Sequence, residues 1–71
     1  MKKYEILQEI VLGFLTHNDS YDMFIDPGVG HLEFDGKDIV WVDVVGDRFT
    51  SHTQNQAIQV WVEQGRLKEM E

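Results

Sequence analysis

The chain has 71 residues, 13 acidic side chains against six basic ones, a net charge of −7, 42% hydrophobic residues and no cysteine. A chain of this length makes one small domain, which buries only about 60% of the surface that its unfolded form exposes. The lack of cysteine excludes disulfides and thiolate metal sites. Because no basic residue lies between Lys3 and Lys37, the chain cannot present the basic surface that direct nucleic-acid binding requires.

The sequence gives no sign of a membrane or export segment. No stretch approaches the roughly 18 consecutive apolar residues that cross a bilayer. Glu5 and Glu9 interrupt the apolar run that a signal peptide would need. We therefore expect a single globular domain over residues 1–71, located in the cytoplasm and without membrane contact.

The segment KKYEILQEIVLGFLTH, residues 2–17, is predicted to form an amphipathic helix. When residues are placed at 100° intervals, most of its apolar side chains fall in one broad arc and its polar ones lie opposite. Leu12 is an exception, because it falls on the polar side. Gly13 is unfavourable in the middle of a helix and suggests a close backbone approach. The helix is expected to end at residues 16–18.

A three-stranded antiparallel meander is predicted after this helix. Asp35-Gly36 and Gly46-Asp47 each fit a tight hairpin turn, because glycine adopts the backbone angles that such turns require. Alternation of side chains at residues 21–25 also allows a short additional strand. The strands of the meander are predicted at residues 31–34, 38–45 and 48–51.

The last predicted element is a C-terminal helix. Ser51 with Gln54, and Thr53 with Gln56, both fit the capping-box pattern, so the helix is expected to begin at one of these two hydroxyls. Gly65 is a typical residue just past a helix end, where a left-handed conformation is common. The sequence thus predicts an α+β fold in which an N-terminal and a C-terminal helix pack on the antiparallel sheet.

No catalytic, metal or cofactor site is visible in the sequence. An EF-hand loop beginning at Asn18 fails, because Met23 and Val29 stand where glycine and glutamate are required. The three histidines lack a metal-ligand spacing, and the serines lack the glycines of a nucleophile elbow. Gly28-Val29-Gly30 lacks the rest of a phosphate-binding loop. We therefore expect a protein that is not an enzyme and that holds no metal and no cofactor.

The stretch DIVWVDVV, residues 38–45, raises the question of what covers the second face of the central strand. A strand with one solvated face should alternate apolar and polar residues, but here both faces are largely apolar. The face that fits the core contains Val40, Val42 and Val44. The second face, which is expected to meet either a helix of the same chain or another molecule, contains Ile39, Trp41, Asp43 and Val45.

These observations predict a small protein-interaction module that pairs with itself in a symmetric homodimer or binds another protein. Trp41 alone can bury about 200 Å², and a domain this small gains stability from pairing. Leu12 is a second apolar residue without an evident position in the core. The predicted interface consists of Trp41, Ile39, Asp43, Val45 and Leu12.

The acidic composition supports an alternative function. In this hypothesis the protein is an inhibitor that mimics nucleic acid and occupies a basic surface of another protein. An anionic docking surface weakens steeply with salt, whereas an apolar interface does not, so the two hypotheses are distinguishable. The candidate anionic surface consists of Asp19, Asp22, Asp26 and Asp35.

Overall fold

The computed structural model of the chain describes residues 1–70, which form seven strands and one short helix. Five strands make one antiparallel sheet in the order β6-β5-β4-β1-β7, and β2 and β3 form a separate two-stranded hairpin. The elements are β1 (Lys2–Ile6), β2 (Ile10–Leu15), β3 (Ser20–Ile25), β4 (His31–Phe34), β5 (Ile39–Val42), β6 (Arg48–Ser51), α1 (Gln56–Glu63) and β7 (Leu67–Met70).

The predicted α+β fold is wrong, because the N-terminal helix does not exist. Its segment forms β1 and β2 instead. In β1, buried Tyr4 and Ile6 alternate with exposed Lys3 and Glu5, which is the period of a half-buried strand. An apolar run such as residues 10–15 fits a helical and a strand period alike, so the pattern alone does not decide between them. The residues that β2 buries at the strand period are Ile10, Leu12 and Phe14.

The predicted meander is present as β4, β5 and β6, but its central strand is shorter than expected. β5 ends at Val42 and not at Val45. The carboxylate of Asp43 accepts hydrogen bonds from the backbone N–H groups of Val45 and Asp47, at 3.0 and 2.9 Å. Because a side chain that bonds its own backbone competes with the sheet ladder, the chain turns at Asp43.

The predicted C-terminal helix is present as α1, but it begins later than expected. Asn55 is its N-cap residue, and no side chain caps it. The two hydroxyls that were expected to cap it lie before the helix and bind β2 instead. At the other end, Gly65 has a φ of +74°, and its N–H donates to Val62 O while the next N–H donates to Trp61 O. These are the two bonds of a Schellman cap, so the prediction for Gly65 is confirmed.

One hydrophobic core joins both sheets to the helix. Leu12, Leu32 and Ile39 lie at its centre and expose none of their surface. Trp41 and Trp61 pack against it while remaining half-buried. The buried members of this core are Tyr4, Ile6, Ile10, Leu12, Phe14, Ile25, Leu32, Ile39, Ile58 and Leu67.

The two faces of β5 are the reverse of those expected. Ile39 and Trp41 face the hydrophobic core, whereas Val40 and Val42 lie on the opposite face of the five-stranded sheet and outside the core. In register, the neighbours of Val40 are Glu33 and Thr50, and those of Val42 are His31 and Arg48. Both valines are nevertheless buried, because long side chains cover apolar neighbours with their stems.

The helix α1 has eight residues, which is too few to cross a membrane. Residues 1–70 contain no helix that could cross one.

Gly30 and Gly36 provide a matched test of how closely the chain packs against the end of β5. Gly30 has a φ of +103°, and a Cβ there would overlap the carbonyl oxygen of Val42 and lie 2.9 Å from the Cα of Asp43. Gly36 has a φ of +93° with open space around it. We expect Gly30→Ala to lower the free energy of unfolding by about 3 kcal/mol or more, and Gly36→Ala by about 1–2 kcal/mol. Urea denaturation measures both, and equal losses would contradict the close approach of Gly30 to β5.

Candidate functional site

The described residues do not bring together a metal site. Within residues 1–70, no group of three or more histidine, aspartate or glutamate side chains could hold a metal ion. Three carboxyl groups have shifted pKa values, those of Glu9, Glu33 and Asp35. Each shift has a local structural cause, and the three carboxyl groups lie in different parts of the fold. They therefore do not form with one another an acid–base pair of the kind that catalysis uses.

Glu33 is the buried carboxylate of the five-stranded sheet, and only 5% of its surface is exposed. Arg48 Nη2 lies 2.8 Å from Glu33 Oε1, and His31 Nε2 lies 3.0 Å from Glu33 Oε2. The guanidinium of Arg48, followed by the imidazole of His31, holds the pKa of Glu33 below its usual value. Glu33, His31 and Arg48 lie on the face that carries Val40 and Val42. Their contacts hold β4 to β6 across β5.

An open groove lies between α1 and the end of the five-stranded sheet. Its volume is about 730 Å³, and Tyr4, Phe34, Ile58 and Val62 supply its apolar floor. Known small-molecule sites have similar volumes, but they also contain a few convergent polar groups. Here the acids at the rim are Asp35, which its own turn engages, and Glu63 and Glu69, of which Glu69 lies 4.0 Å from Lys2. The amides of the lining are also engaged by the chain itself, because Asn55 donates to Lys37 O and Gln59 donates to Glu63 Oε1. The free contact that the groove offers is therefore mainly apolar.

The structure separates the residues of the predicted interface. Leu12 and Ile39 are fully buried in the core and expose no surface to a partner. Asp43 and Val45 lie in the turn between β5 and β6, where Val45 is exposed. Trp41 faces the core, and its indole N–H donates a 2.9 Å hydrogen bond to Val29 O.

The indole of Trp41 also stacks on Phe49 at a centroid distance of 5.3 Å. Trp41 is therefore tied to its own chain on two sides, by this ring and by the Val29 carbonyl. An interface centred on it stays a prediction, and any such interface would use the indole edge together with Phe49 and Val45.

The structure also divides the predicted anionic surface. Asp19, Asp22 and Asp26 lie on β3 or immediately beside its ends. Asp35 lies in the turn between β4 and β5, where its carboxylate accepts 2.8 Å hydrogen bonds from the N–H groups of Asp38 and Lys37. These two bonds lower the pKa of Asp35. The mimic hypothesis stays a prediction, with one of its four acids on β3 and two directly beside the ends of that strand.

The β2–β3 hairpin is the element with the most exposed apolar surface on a regular framework. Its inner face packs Ile10 and Leu12 into the core. Its outer face, which we call the hairpin face, carries Val11 and Phe24 at one end and Leu15 at the other, with Asp22 and the His52 imidazole between them. Leu15 is 68% exposed and Phe24 is 65% exposed. Val11 lies directly opposite Phe24 in register, so their side chains are neighbours on the same surface.

Gly13 fixes the hairpin to the five-stranded sheet. Its N–H donates to Thr53 Oγ1 at 2.8 Å, and its carbonyl accepts from the N–H of His52 at 3.0 Å and from Ser51 Oγ at 2.7 Å. A Cβ at Gly13 would lie 2.9 Å from the His52 imidazole. The close approach expected at Gly13 is therefore present, but in a strand and against residues 51–53.

A second attachment lies at the base of the hairpin. Arg66 Nη1 donates a 2.6 Å hydrogen bond to the backbone carbonyl of Glu9. A hydrogen bond with the carboxyl of Asp26 raises the pKa of Glu9, and the nearby Arg66 charge opposes this shift. Two acids and one arginine thus meet where β2 begins and β3 ends, which leaves this end of the hairpin negatively charged.

The hairpin face was missed in the sequence because its first strand was assigned to a helix. The signal was present, since the apolar run of residues 10–15 and the alternating run of residues 21–25 are separated by the polar segment THNDS. Two such runs around a short polar segment indicate a β-hairpin. The unexplained position of Leu12 was the sharper signal, because a strand gives it a place in the core.

Comparison with known proteins gave no match among protein-family models, curated proteins or solved structures.

The contacts of Glu33 with Arg48 and His31 predict a dependence of stability on pH. Because the folded-state pKa of Glu33 is below its usual value of 4.5, its contribution is complete above that value and is lost as the pH falls through the folded-state pKa. We expect the free energy of unfolding of the wild type to fall more between about pH 6 and about pH 3 than that of Glu33→Gln. Urea denaturation at both pH values measures this. A parallel fall in the two proteins would show that the ion pairs contribute nothing.

The position of Trp41 predicts that its substitution acts on the fold. Trp41→Asp removes a large ring packed against the core and places a charge there, so we expect a loss of about 3–5 kcal/mol in the free energy of unfolding. Val45→Asp, in the exposed turn, should change it by less than about 0.5 kcal/mol. Thermal and urea denaturation compare the two variants. If the two variants had similar free energies of unfolding, Trp41 would be a surface residue and not part of the core packing.

Proposed function

We propose that this protein is a small acidic protein-interaction module that binds another protein through the hairpin face. The observation that supports this proposal is the exposure of Leu15 and Phe24 on a hydrogen-bonded two-stranded framework whose opposite face is part of the core. The two side chains lie at opposite ends of this face, on either side of Asp22, and exposed apolar side chains on one surface with polar residues around them are typical of protein-binding sites. An aromatic residue such as Phe24 is the kind of anchor that interfaces favour.

The hairpin face is favoured over the other exposed apolar positions because its side chains are held in register. Val44 and Val45 are also exposed, but they lie in a turn without sheet pairing. Val60 and Val62 are partly exposed on α1, and Val62 already lines the groove beside the helix. Phe49 is also exposed on a paired strand, but it follows the basic Arg48. Among the exposed apolar positions of residues 1–70, those of the hairpin face combine sheet pairing, an aromatic side chain and neighbouring acids.

The charge of the chain favours a different protein over a second copy as the partner. Each copy has a net charge of −7, and the acids of β3 border the hairpin face. Like charges brought together at an interface oppose association. We therefore propose a partner with a basic surface. From the sequence we also propose that the module has no catalytic activity and that it acts in the cytoplasm. Self-association stays the alternative that the following experiment distinguishes.

A photo-crosslinking amino acid in place of Phe24, compared with the same substitution at Phe49, tests this proposal in cells of the source organism. Both positions are exposed phenylalanines, and Phe49 belongs to the surface around Trp41. We expect a covalent adduct with another protein from position 24 and none from position 49, because only the first position lies on the hairpin face.

Each other outcome has a fixed meaning. An adduct between two copies of this chain at position 24 would replace the proposed partner by self-association. An adduct from position 49 alone would move the interface to Trp41. No adduct at either position, with the protein folded and abundant, would overturn the proposal of an interaction module.

A further inference from the structure

We infer that the free edge of β3 binds an extended segment of another protein, with alternating basic and apolar residues, which pairs with β3 as an additional strand. This inference rests on the proposed function and gives it a mode of binding and a partner chemistry. Strand addition to an exposed sheet edge is a recurrent mode of peptide recognition, in which main-chain hydrogen bonds give affinity and side chains give specificity.

The register of the hairpin shows which backbone groups of β3 face outward. Gly13 directs its N–H and carbonyl away from β3, to residues 51–53. Asp22 lies opposite Gly13, and in an antiparallel pair of this kind both residues direct their backbone groups away from each other. Asp22 therefore presents its N–H and carbonyl to the free edge, and so do Ser20 and Phe24, which lie two residues away.

Most of these outward groups are unpaired in the described part of the chain. The N–H of Ser20 is engaged by Asp19 Oδ1 at 2.8 Å. The N–H groups of Asp22 and Phe24 have no backbone or side-chain acceptor within residues 1–70. A partner strand would therefore place its central hydrogen bonds at Asp22 and Phe24, and Asp19 marks the end of the available edge.

Side chains along this edge define the partner. Asp22 and Phe24 project on the outer face, and a lysine or arginine beside them could pair with the carboxylate and lie against the aromatic ring. Tyr21 and Met23 project on the inner face, where Tyr21 is exposed and Met23 is half-buried, so apolar residues suit this side. Since successive residues of a strand point to opposite faces, the complementary segment alternates basic with apolar residues.

The charge around the edge excludes an acidic segment as the occupant. Asp19, Asp22 and Asp26 lie along β3, and none of the three forms an ion pair within the described residues. A second copy of the chain would bring its own β3 with the same three acids into this position. Like charges opposite each other on paired strands are destabilising, so a basic strand is the occupant that the edge fits.

The five-stranded sheet ends at two edges, β6 and β7. The edge strand β6 has four residues and carries the basic Arg48. The edge strand β7 also differs from β3. It has four residues against six in β3, and it carries Lys68 and Glu69, which have opposite charges. Glu69 also lies 4.0 Å from Lys2. Short edges with mixed charges are typical of strands that avoid pairing, whereas β3 is longer, carries only negative charge and is bordered by Phe24.

A pair of proline variants tests the inference on the full chain. Leu7 N–H donates to Arg66 O, which sets the β1–β7 register so that Glu69, like Asp22, directs its N–H to a free edge. Asp22→Pro and Glu69→Pro thus each remove one acid and one outward N–H without breaking a sheet bond. Proline is tolerated at such edge positions.

The probe is the synthetic heptapeptide Lys-Val-Lys-Phe-Lys-Val-Lys with capped ends. Its control is the block sequence Lys-Lys-Lys-Lys-Val-Phe-Val, which has the same charge and composition. NMR titration gives the dissociation constants, and amide hydrogen exchange reports on each N–H group. We expect the alternating peptide to bind Asp22→Pro at least about tenfold more weakly than Glu69→Pro, and to protect the Asp22 and Phe24 amides of the wild type.

The inference is overturned if both variants bind the alternating peptide equally, or if the block peptide binds as tightly as the alternating one. If Asp22→Pro does not fold, the exchange measurement on the wild type decides, and unprotected Asp22 and Phe24 amides would end the idea. A wild-type dimer in sedimentation that Asp22→Pro dissociates would assign the edge to a second copy. Adducts from position 24 without amide protection would leave the proposed function standing and remove strand pairing alone.

Discussion

The three hydrogen bonds at Gly13 join the two sheets, and most other features of the molecule depend on them. The hairpin β2–β3 pairs with no strand of the five-stranded sheet. Its position is therefore set by side-chain packing, by these bonds to residues 51–53 and by the bond from Arg66 to Glu9 O at its base. An isolated two-stranded hairpin is marginally stable in water. The bonds are possible because Gly13 has no Cβ to meet the His52 ring.

This attachment also determines which strand of the hairpin is left free. Because β2 directs its outer backbone groups at Gly13 toward residues 51–53, β2 becomes an interior strand at that point and β3 becomes the edge. The core uses the inner face of both strands, which leaves the hairpin face and the β3 edge as adjoining surfaces. A side-chain position such as Phe24 therefore belongs to both a sheet face and a sheet edge, which is why apolar docking and strand pairing can act together.

The sequence predicted those parts of the fold whose signals are local. The meander follows from glycine turns between short apolar runs, and the end of α1 follows from Gly65, whose left-handed conformation is intrinsic to glycine. The prediction of an N-terminal helix was wrong because residues 10–15 are apolar at both the helical and the strand period. Only tertiary packing could decide between a helix and a strand there. The prediction that Ser51 or Thr53 caps the helix was wrong for a related reason. A capping box describes local bonding, and here both hydroxyls bond to Gly13, about 40 residues away in the chain. The interface prediction placed Ile39 and Leu12 outside the core because the faces of β5 were assigned without knowing that β2 was a strand.

The acids of β3 act in two ways that share one physical cause. A free edge with exposed N–H and carbonyl groups invites pairing with any extended chain, including its own copies, and natural proteins place charges there to prevent it. Mixed charges would oppose pairing without regard to the sign of the incoming strand. A strand that carries Asp22 and is flanked by Asp19 and Asp26, in a chain that has no base between Lys3 and Lys37, repels its own copies and attracts basic segments. The same charges that keep the isolated protein from self-pairing therefore select its partner, since discrimination depends on the difference between a repelled and an attracted strand.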